Sequence, residues 1–255
     1  MANDDRARVV MAVGMSVDGR IAHRRDQLWF DEDAKRDWEA VKPASTPSLE
    51  AARSELIDRL YQPQAILEGS GSLARSTAGP VAGLPPEEPP EVLYSDFLPD
   101  EVVHRQGHER WFTTVDSRGR VEWEDEDHGE WDVLVLVSRA TPAAYLQFLR
   151  MRRLCYLVAG DERVDLAEAL RKMKASLGVT CVKSTAGGGL NGALLRAGLI
   201  DEIHLMVSPY AIGGAGTPTI FDGVPLAKGE LPTNLRLLST HAESDGMLWL
   251  RYEVA

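Results

Sequence analysis

This sequence predicts an α/β fold: a central, mostly parallel sheet with helices on both faces. Three observations carry that reading. Short apolar runs of strand length, such as Ala65-Ile66-Leu67 and Val133 to Val137, recur between amphipathic helical stretches. The run at 133–137 is apolar at every position, as a strand buried on both faces requires. Three glycines, 187–189, stand between an apolar run at 179–182 and a helical pattern from Leu190 to Ala197, which reads as a strand-to-helix turn.

In chain order, Val9 to Ser16 reads as a buried first strand, interrupted by Gly14 where a ligand could press against backbone. Residues 31–42 read as a short helix with acids in its first turn, favourable to the helix dipole. Thr46-Pro47 opens a second helix that places Leu49, Leu56, Ile57 and Leu60 on one face. A strand follows at 65–67. From Ser76 to Pro99 the composition turns to Pro, Gly and Glu, a surface excursion extending to about residue 110. Trp111 to Asp116 and Val121 to Trp123 read as a hairpin across Ser117–Arg120, and the acidic run 124–130 as a solvated tip. Val133 to Val137 is a strand, Thr141-Pro142 starts a helix, and Cys155 to Ala159 is again strand-like. Asp165 caps a helix, with Glu168 three residues on and Gly178 at its end. Gly198 closes the helix after the glycines, a strand follows (Ile203, Leu205, Val207), and alternation marks 235–238 and 247–254. All 255 residues are read as a single domain.

Composition narrows the function classes. A formal charge of −11 argues against nonspecific nucleic-acid binding, which rests on clustered Lys and Arg. No run approaches membrane-spanning length, and the N-terminus has no apolar core of signal-peptide length, so a cytoplasmic protein is expected. Cys155 and Cys181 are isolated and read as reduced structural thiols. The six histidines form no metal-ligand pattern, so no metal is expected. A G-x-S-x-G elbow is absent, which removes the commonest hydrolase signature.

A triple glycine has no side chains to shield its N–H groups, so backbone and helix N-terminus can approach a phosphate closely; a tight turn is the alternative. The segment GSGSLA (69–74) matches G-x-G-x-x-A, but the following RSTAGPVAGLPP cannot continue as the helix a dinucleotide fingerprint needs.

The stretch STAGGGLNGALLRAGLIDEIHL (184–205) resembles the closing motif of the riboflavin-biosynthesis reductase family, the C-terminal domain of RibD-type enzymes, which is similar in fold to dihydrofolate reductase. VVMAVGMSVDGRIA (9–22) resembles that family's opening strand and S-x-D-G-R-x-A turn, and YAIGGAGTPTIFDG (210–223), led by Pro209, its P-x-x-x-G-G loop. The resemblance implies an NADPH-dependent reductase passing hydride to an imine-like carbon of a pyrimidine or pterin-like substrate. It implies cofactor contacts at Gly14, Trp29, Gly69, Gly71, Ser72, Ser138, Arg139, Gly187, Gly188, Gly189 and Leu190. Arg139, a planar and permanently charged donor set, would suit a 2′-phosphate. Asp18 and Asp33 are the candidate catalytic carboxylates, and a homodimer is implied, with the strand at 203–207 as a sheet edge that a partner could cover.

Departures from the family fall on the substrate side. Ala186 stands where the family commonly has Glu, Gln27 where it has Ser, and either Lys42 or Arg59 takes the place of its helix-terminal arginine. No acidic pair follows Ser72. These changes predict turnover of the standard riboflavin-pathway substrate below about 1 per second. They leave two alternatives open: reduction of another C=N compound, or a non-catalytic ligand-binding relative.

Overall fold

The computed structural model describes residues 5–25, 27–28, 31–75, 77–81, 87–123 and 131–255. Its elements, in order, are β1 (Arg8–Ser16), α1 (Glu32–Val41), α2 (Thr46–Tyr61), β2 (Ala65–Gly69), a 3-10 turn (Ser70–Ser72), α3 (Pro90–Leu93), α4 (Asp100–Val103), β3 (Arg110–Val115), β4 (Trp131–Val137), α5 (Ala143–Met151), β5 (Cys155–Val158), α6 (Leu166–Leu177), β6 (Cys181–Ser184), α7 (Gly188–Arg196), β7 (Glu202–Ser208), β8 (Leu235–Ala242) and β9 (Leu248–Val254). The sheet order is β5-β4-β3-β2-β6-β1-β7-β9-β8. The chain forms two compact units, Met1–Ala7 with Pro63–Val182, and Arg8–Gln62 with Lys183–Ala255.

In the first unit β2, β3, β4 and β5 pair in parallel. Val133, Val135 and Val137 of β4 face Tyr145, Leu146 and Leu149 of α5 in one buried cluster with Tyr156 and Val158. Each fully buried side chain of that size contributes roughly 1.5–3 kcal/mol. The expected hairpin does not form. Asp116 stops β3 instead: its Oδ2 accepts from the N–H groups of Arg120 and Val121 at 2.7 and 2.9 Å, which closes a turn. Gly119 fits there at φ 63°, where a Cβ would lie 2.7 Å from the Tyr145 ring. The Pro-rich excursion is not purely superficial either. Leu93 is fully buried, and Phe97 and Tyr156 exchange N–H···O bonds of 2.9 Å, so the excursion covers the edge strand β5. The acidic run 124–130 lies outside the described residues.

In the second unit β1 and β7 run parallel, and β9 and β8 add antiparallel strands. Helix α2 covers one face: Leu49, Ile57 and Tyr61 recur at helical spacing, and Leu49 packs with Met206, Met247 and Trp249. Residues 203–207 are all buried, and β7 lies between β1 and β9. That strand is therefore not a sheet edge; β8 is, and most of its residues are exposed.

Among the described residues, no helix is long and apolar enough to cross a membrane.

Candidate active site

In the second unit the glycine motif starts α7, with Gly187 as extended N-cap. Asn191 N–H is bonded to Gly187 O at 3.1 Å. The N–H groups ahead of it, those of Gly188, Gly189 and Leu190, have no acceptor within the helix, which is the condition for anion binding at a helix start. The three glycines differ in what they permit. A Cβ on Gly188 would lie 1.9 Å from Thr219 O and 2.8 Å from Asp222 Oδ2, and one on Gly192 would lie 1.9 Å from Asp222 O. Gly188 and Gly192, four apart on one helix face, thus admit the backbone of loop 219–222. Gly189 meets nothing within 4 Å, and Gly187 only Ile21 Cδ1 at 3.9 Å. The open side of the motif is therefore at Gly187 and Gly189, away from Asp222.

Asp18 belongs to the architecture of this end. Its carboxylate accepts from Ser16 Oγ at 2.6 Å and from the N–H groups of Ile212 and Gly213 at 3.0 and 2.7 Å. These bonds, Ser16 first, hold its pKa well below the usual carboxylate range. An ionised, fully engaged carboxylate is a clamp on the 210–213 loop and has no proton to donate. Asp33 does not reach this region: it pairs with Arg24 at the surface. In this structure Asp18 is engaged by the 210–213 loop and Asp33 by Arg24.

Gly14 is exposed in mid-strand and in register with Met206. Paired residues share a face, and Met206 packs on Leu49, so Gly14 opens on the α2 side of the sheet. The cation that α2 brings there is Arg53, which sequence reasoning missed. Its Nη1 donates to Val13 O at 3.2 Å. Among the described residues it has no carboxylate within ion-pair distance; burial pushes its pKa down, partly offset by the field of Glu50. Arg53 sits four residues from both Leu49 and Ile57, on the buried stripe, and that misplacement of a cation was the available signal. The two residues expected in the place of the family arginine, Lys42 and Arg59, are both on the surface. Lys42 is exposed at the end of α1 and bonded to Glu39 at 2.8 Å; Arg59 is exposed in the last turn of α2.

Gln27 holds both amide atoms buried with no partner among the described residues, a cost of roughly 1–3 kcal/mol per group unless a ligand meets them. Ala186 is 1% exposed, so its methyl is covered by protein and lines no open surface. Trp29 lies outside the described residues.

The remaining expected cofactor residues belong to the first unit, at the carboxyl ends of its parallel strands. Gly69 ends β2 and Gly71 is open, with nothing within 4 Å of a Cβ. Ser72 Oγ donates to Glu68 Oε2 at 3.0 Å. The loop is held from below by buried Arg120, whose Nη2 donates to Ser70 Oγ at 2.9 Å. After β4, Ser138 is fully buried and its hydroxyl has no partner among the described residues, so it is sealed from any phosphate. Arg139 is 64% exposed and loosely paired with Asp161 at 3.6 Å. It lines a groove of about 620 Å³ with Tyr94, Asp96 and Lys172.

No cluster of His, Cys, Asp and Glu among the described residues could hold a metal. Cys155 and Cys181 are buried and free, and burial raises the Cys155 thiol to about 12.

A parallel sheet with two antiparallel strands appended, and with a glycine-opened first strand, defines an α/β protein of the dihydrofolate reductase-like class. Comparison with known proteins narrows this further. The RibD C-terminal domain model matches residues 7–249, and the chain belongs to that family. It is 34% identical over 116 residues to the 2,5-diamino-6-ribosylamino-4(3H)-pyrimidinone 5′-phosphate reductase of Archaeoglobus fulgidus, covering 45% of this chain and 52% of the relative. The enzyme of the same name from Methanothermobacter thermautotrophicus is 32% identical over 94 residues, 37% of this chain and 43% of the relative. The chain thus spans about half the length of the curated relatives it matches. Among solved structures, Acinetobacter baumannii RibD superposes with a TM-score of 0.60 at 18% identity, covering 98% of this chain and 59% of that one. A pyrimidine reductase-like protein of Corynebacterium diphtheriae gives 0.59 at 16% identity, covering 99% and 93%. These two show the fold.

Proposed function

We propose that this protein is an NADPH-dependent reductase of a pyrimidine that carries a sugar phosphate. The observation that carries the reading is the glycine-opened start of α7, where the first N–H groups of the helix have no intrahelical acceptor and no Cβ at Gly187 or Gly189 stands in the way of a ligand. Relatives whose names specify a ribosylamino-pyrimidinone 5′-phosphate support the substrate class. When bound, the cofactor would supply hydride to an imine-like carbon. This chain's residues then have to bind, orient and exclude water, which is most of what such chemistry asks of a protein.

The roles follow from placement. Gly187, Gly189 and Leu190 receive the cofactor's pyrophosphate, with Gly188 packing the helix that presents them. Gly14 lets a flat ring lie against β1. Arg53, a half-buried guanidinium with no carboxylate within ion-pair distance among the described residues, takes the substrate phosphate. Gln27 offers one donor and one acceptor to the pyrimidine edge. On the family resemblance, Gly69 and Gly71 are proposed as backbone contacts of a nucleotide, and Arg139 as a 2′-phosphate contact. Ala186 supplies no carboxylate to the substrate, which keeps turnover of the standard compound slow. Two copies associate through the exposed β8 edge, and the protein works in the cytoplasm.

Titration of the purified protein with NADPH and NADH, followed by fluorescence, tests the cofactor reading. Saturable binding is expected, tighter for NADPH, and Arg139→Ala should weaken NADPH about tenfold while sparing NADH. Equal affinity for the two cofactors in both proteins would remove Arg139 from the site. No binding of either would remove the reductase reading.

A further inference from the structure

We propose that Asn191 is a positioning residue that sets the affinity of the cofactor-phosphate site; the proposal rests on the reading of α7 as that site. Asn is a mediocre helix former, and this one is fully buried, so its carboxamide must be paired to be tolerated. Its orientation is fixed chemically. The atom 2.6 Å from Ala186 O must be Nδ2, because a carbonyl can only accept. Oδ1 therefore faces Ser184 Oγ, 2.8 Å away and also fully buried, and accepts from it.

One side chain thus ties the end of β6 to the residue just before Gly187, while the Asn191 backbone N–H bonds Gly187 O at 3.1 Å. Three points of the crossing (184, 186 and 187) converge on one residue. On another face of α7, Gly188 and Gly192 seat the helix against loop 219–222. A three-glycine crossing has large conformational freedom of its own. Between these two anchors it is held in one arrangement, with only the Gly187 and Gly189 side left open. Preorganisation of this kind lowers the cost of binding without adding any contact to the ligand.

The chemistry gives a readout that a merely structural asparagine would not show. Asp is isosteric with Asn. Protonated, it can still donate to Ala186 O; ionised, it sets two oxygens against each other and adds negative charge beneath an anion site. Burial raises such a carboxyl above its ordinary range, so the change falls within a measurable window. The charged group on the facing loop is Asp222, present in both proteins, so the wild-type profile serves as reference.

The experiment is isothermal titration of wild type, N191D, N191L and S184A with NADP⁺ and, separately, inorganic pyrophosphate, from pH 5.5 to 8.5, with circular dichroism to check folding. The expected result has N191D binding near wild type at pH 5.5 and at least tenfold more weakly at pH 8.5, with S184A weakened at all pH values. A folded N191L should be weakened tenfold or more throughout. An N191D profile parallel to wild type, or a folded N191L with wild-type affinity, would overturn the proposal. If N191L does not fold, N191D decides. Wild-type binding of pyrophosphate without NADP⁺ would sink the cofactor reading alone, and the Asn191 comparison would be read on pyrophosphate. Absence of binding to both would overturn the two together.

Discussion

At the scale of single residues, the glycine motif separates two needs that look alike in sequence. Gly188 is required by the protein itself, because loop 219–222 fills the place of its Cβ; Gly189 has open space there, so nothing within the described protein requires it. Gly188→Ala is therefore expected to destabilise the fold, by roughly 1–3 kcal/mol of overpacking. Gly189→Val should leave thermal stability within a few degrees and weaken NADPH at least tenfold. Paired melting curves and cofactor titrations check this, and a Gly189→Val protein that binds normally would leave the open side without a role. The motif's location was legible in the sequence, because glycine runs and apolar flanks are local signals. Which glycine faces the ligand was not, since that depends on Thr219 and Asp222, some thirty residues away. Asp18 shows the same limit from the other direction: its role is set by N–H groups at 212 and 213.

At the scale of an element, α2 covers a buried polar layer that periodicity alone does not reveal. Glu202, 3% exposed, accepts from His204 Nε2 at 2.7 Å, from Arg251 Nε at 2.9 Å and from the Tyr61 hydroxyl. Burial alone would raise the Glu202 carboxyl, but those bonds outweigh it and hold it at about 2. Burial lowers the pKa of His204, which is neutral at pH 7, and raises the Tyr61 phenol to about 12. The His204 and Glu202 shifts push acid stability the same way. Below the ordinary His value of 6.5 the unfolded chain takes up a proton that folded His204 refuses. Between 4.5 and about 2 the unfolded chain likewise protonates Glu202 first. Stability should therefore fall in two stages as pH drops, the first beginning near 6.5. Urea unfolding of wild type and His204→Phe across pH 8 to 4 checks it: the upper stage should vanish in the variant. An unchanged pH slope would show that His204 is not its source. Alternation and helix caps gave most elements within a residue or two, as at Asp165 and Gly178. The failed hairpin at 117–120 looked plausible because both flanks are apolar; β3 pairs instead with β2 and β4, partners remote in sequence.

At the scale of the whole molecule, the order of strands was foreseeable as a class and not in detail. Apolar runs announce a parallel sheet, whereas the edge is decided by which strand lacks a neighbour. Beside β5, which Phe97 covers, that strand is β8, with Leu235 and Leu237 41% and 51% exposed, rather than the buried run at 203–207. Leu237→Lys is accordingly expected to shift sedimentation at micromolar concentration from dimer to monomer without loss of secondary structure. A wild type that sediments only as monomer would end that expectation. Hydride transfer to a pyrimidine is read out by isotope transfer. NADPH carrying deuterium at both positions of nicotinamide C4 would be incubated with the protein and the diamino form of the ribosylamino-pyrimidinone 5′-phosphate, and the product weighed by mass spectrometry. A ribitylamino product is expected, formed slowly, with one deuterium on the former imine carbon. Normal NADPH binding with no deuterium in any reduced pyrimidine would contradict hydride transfer.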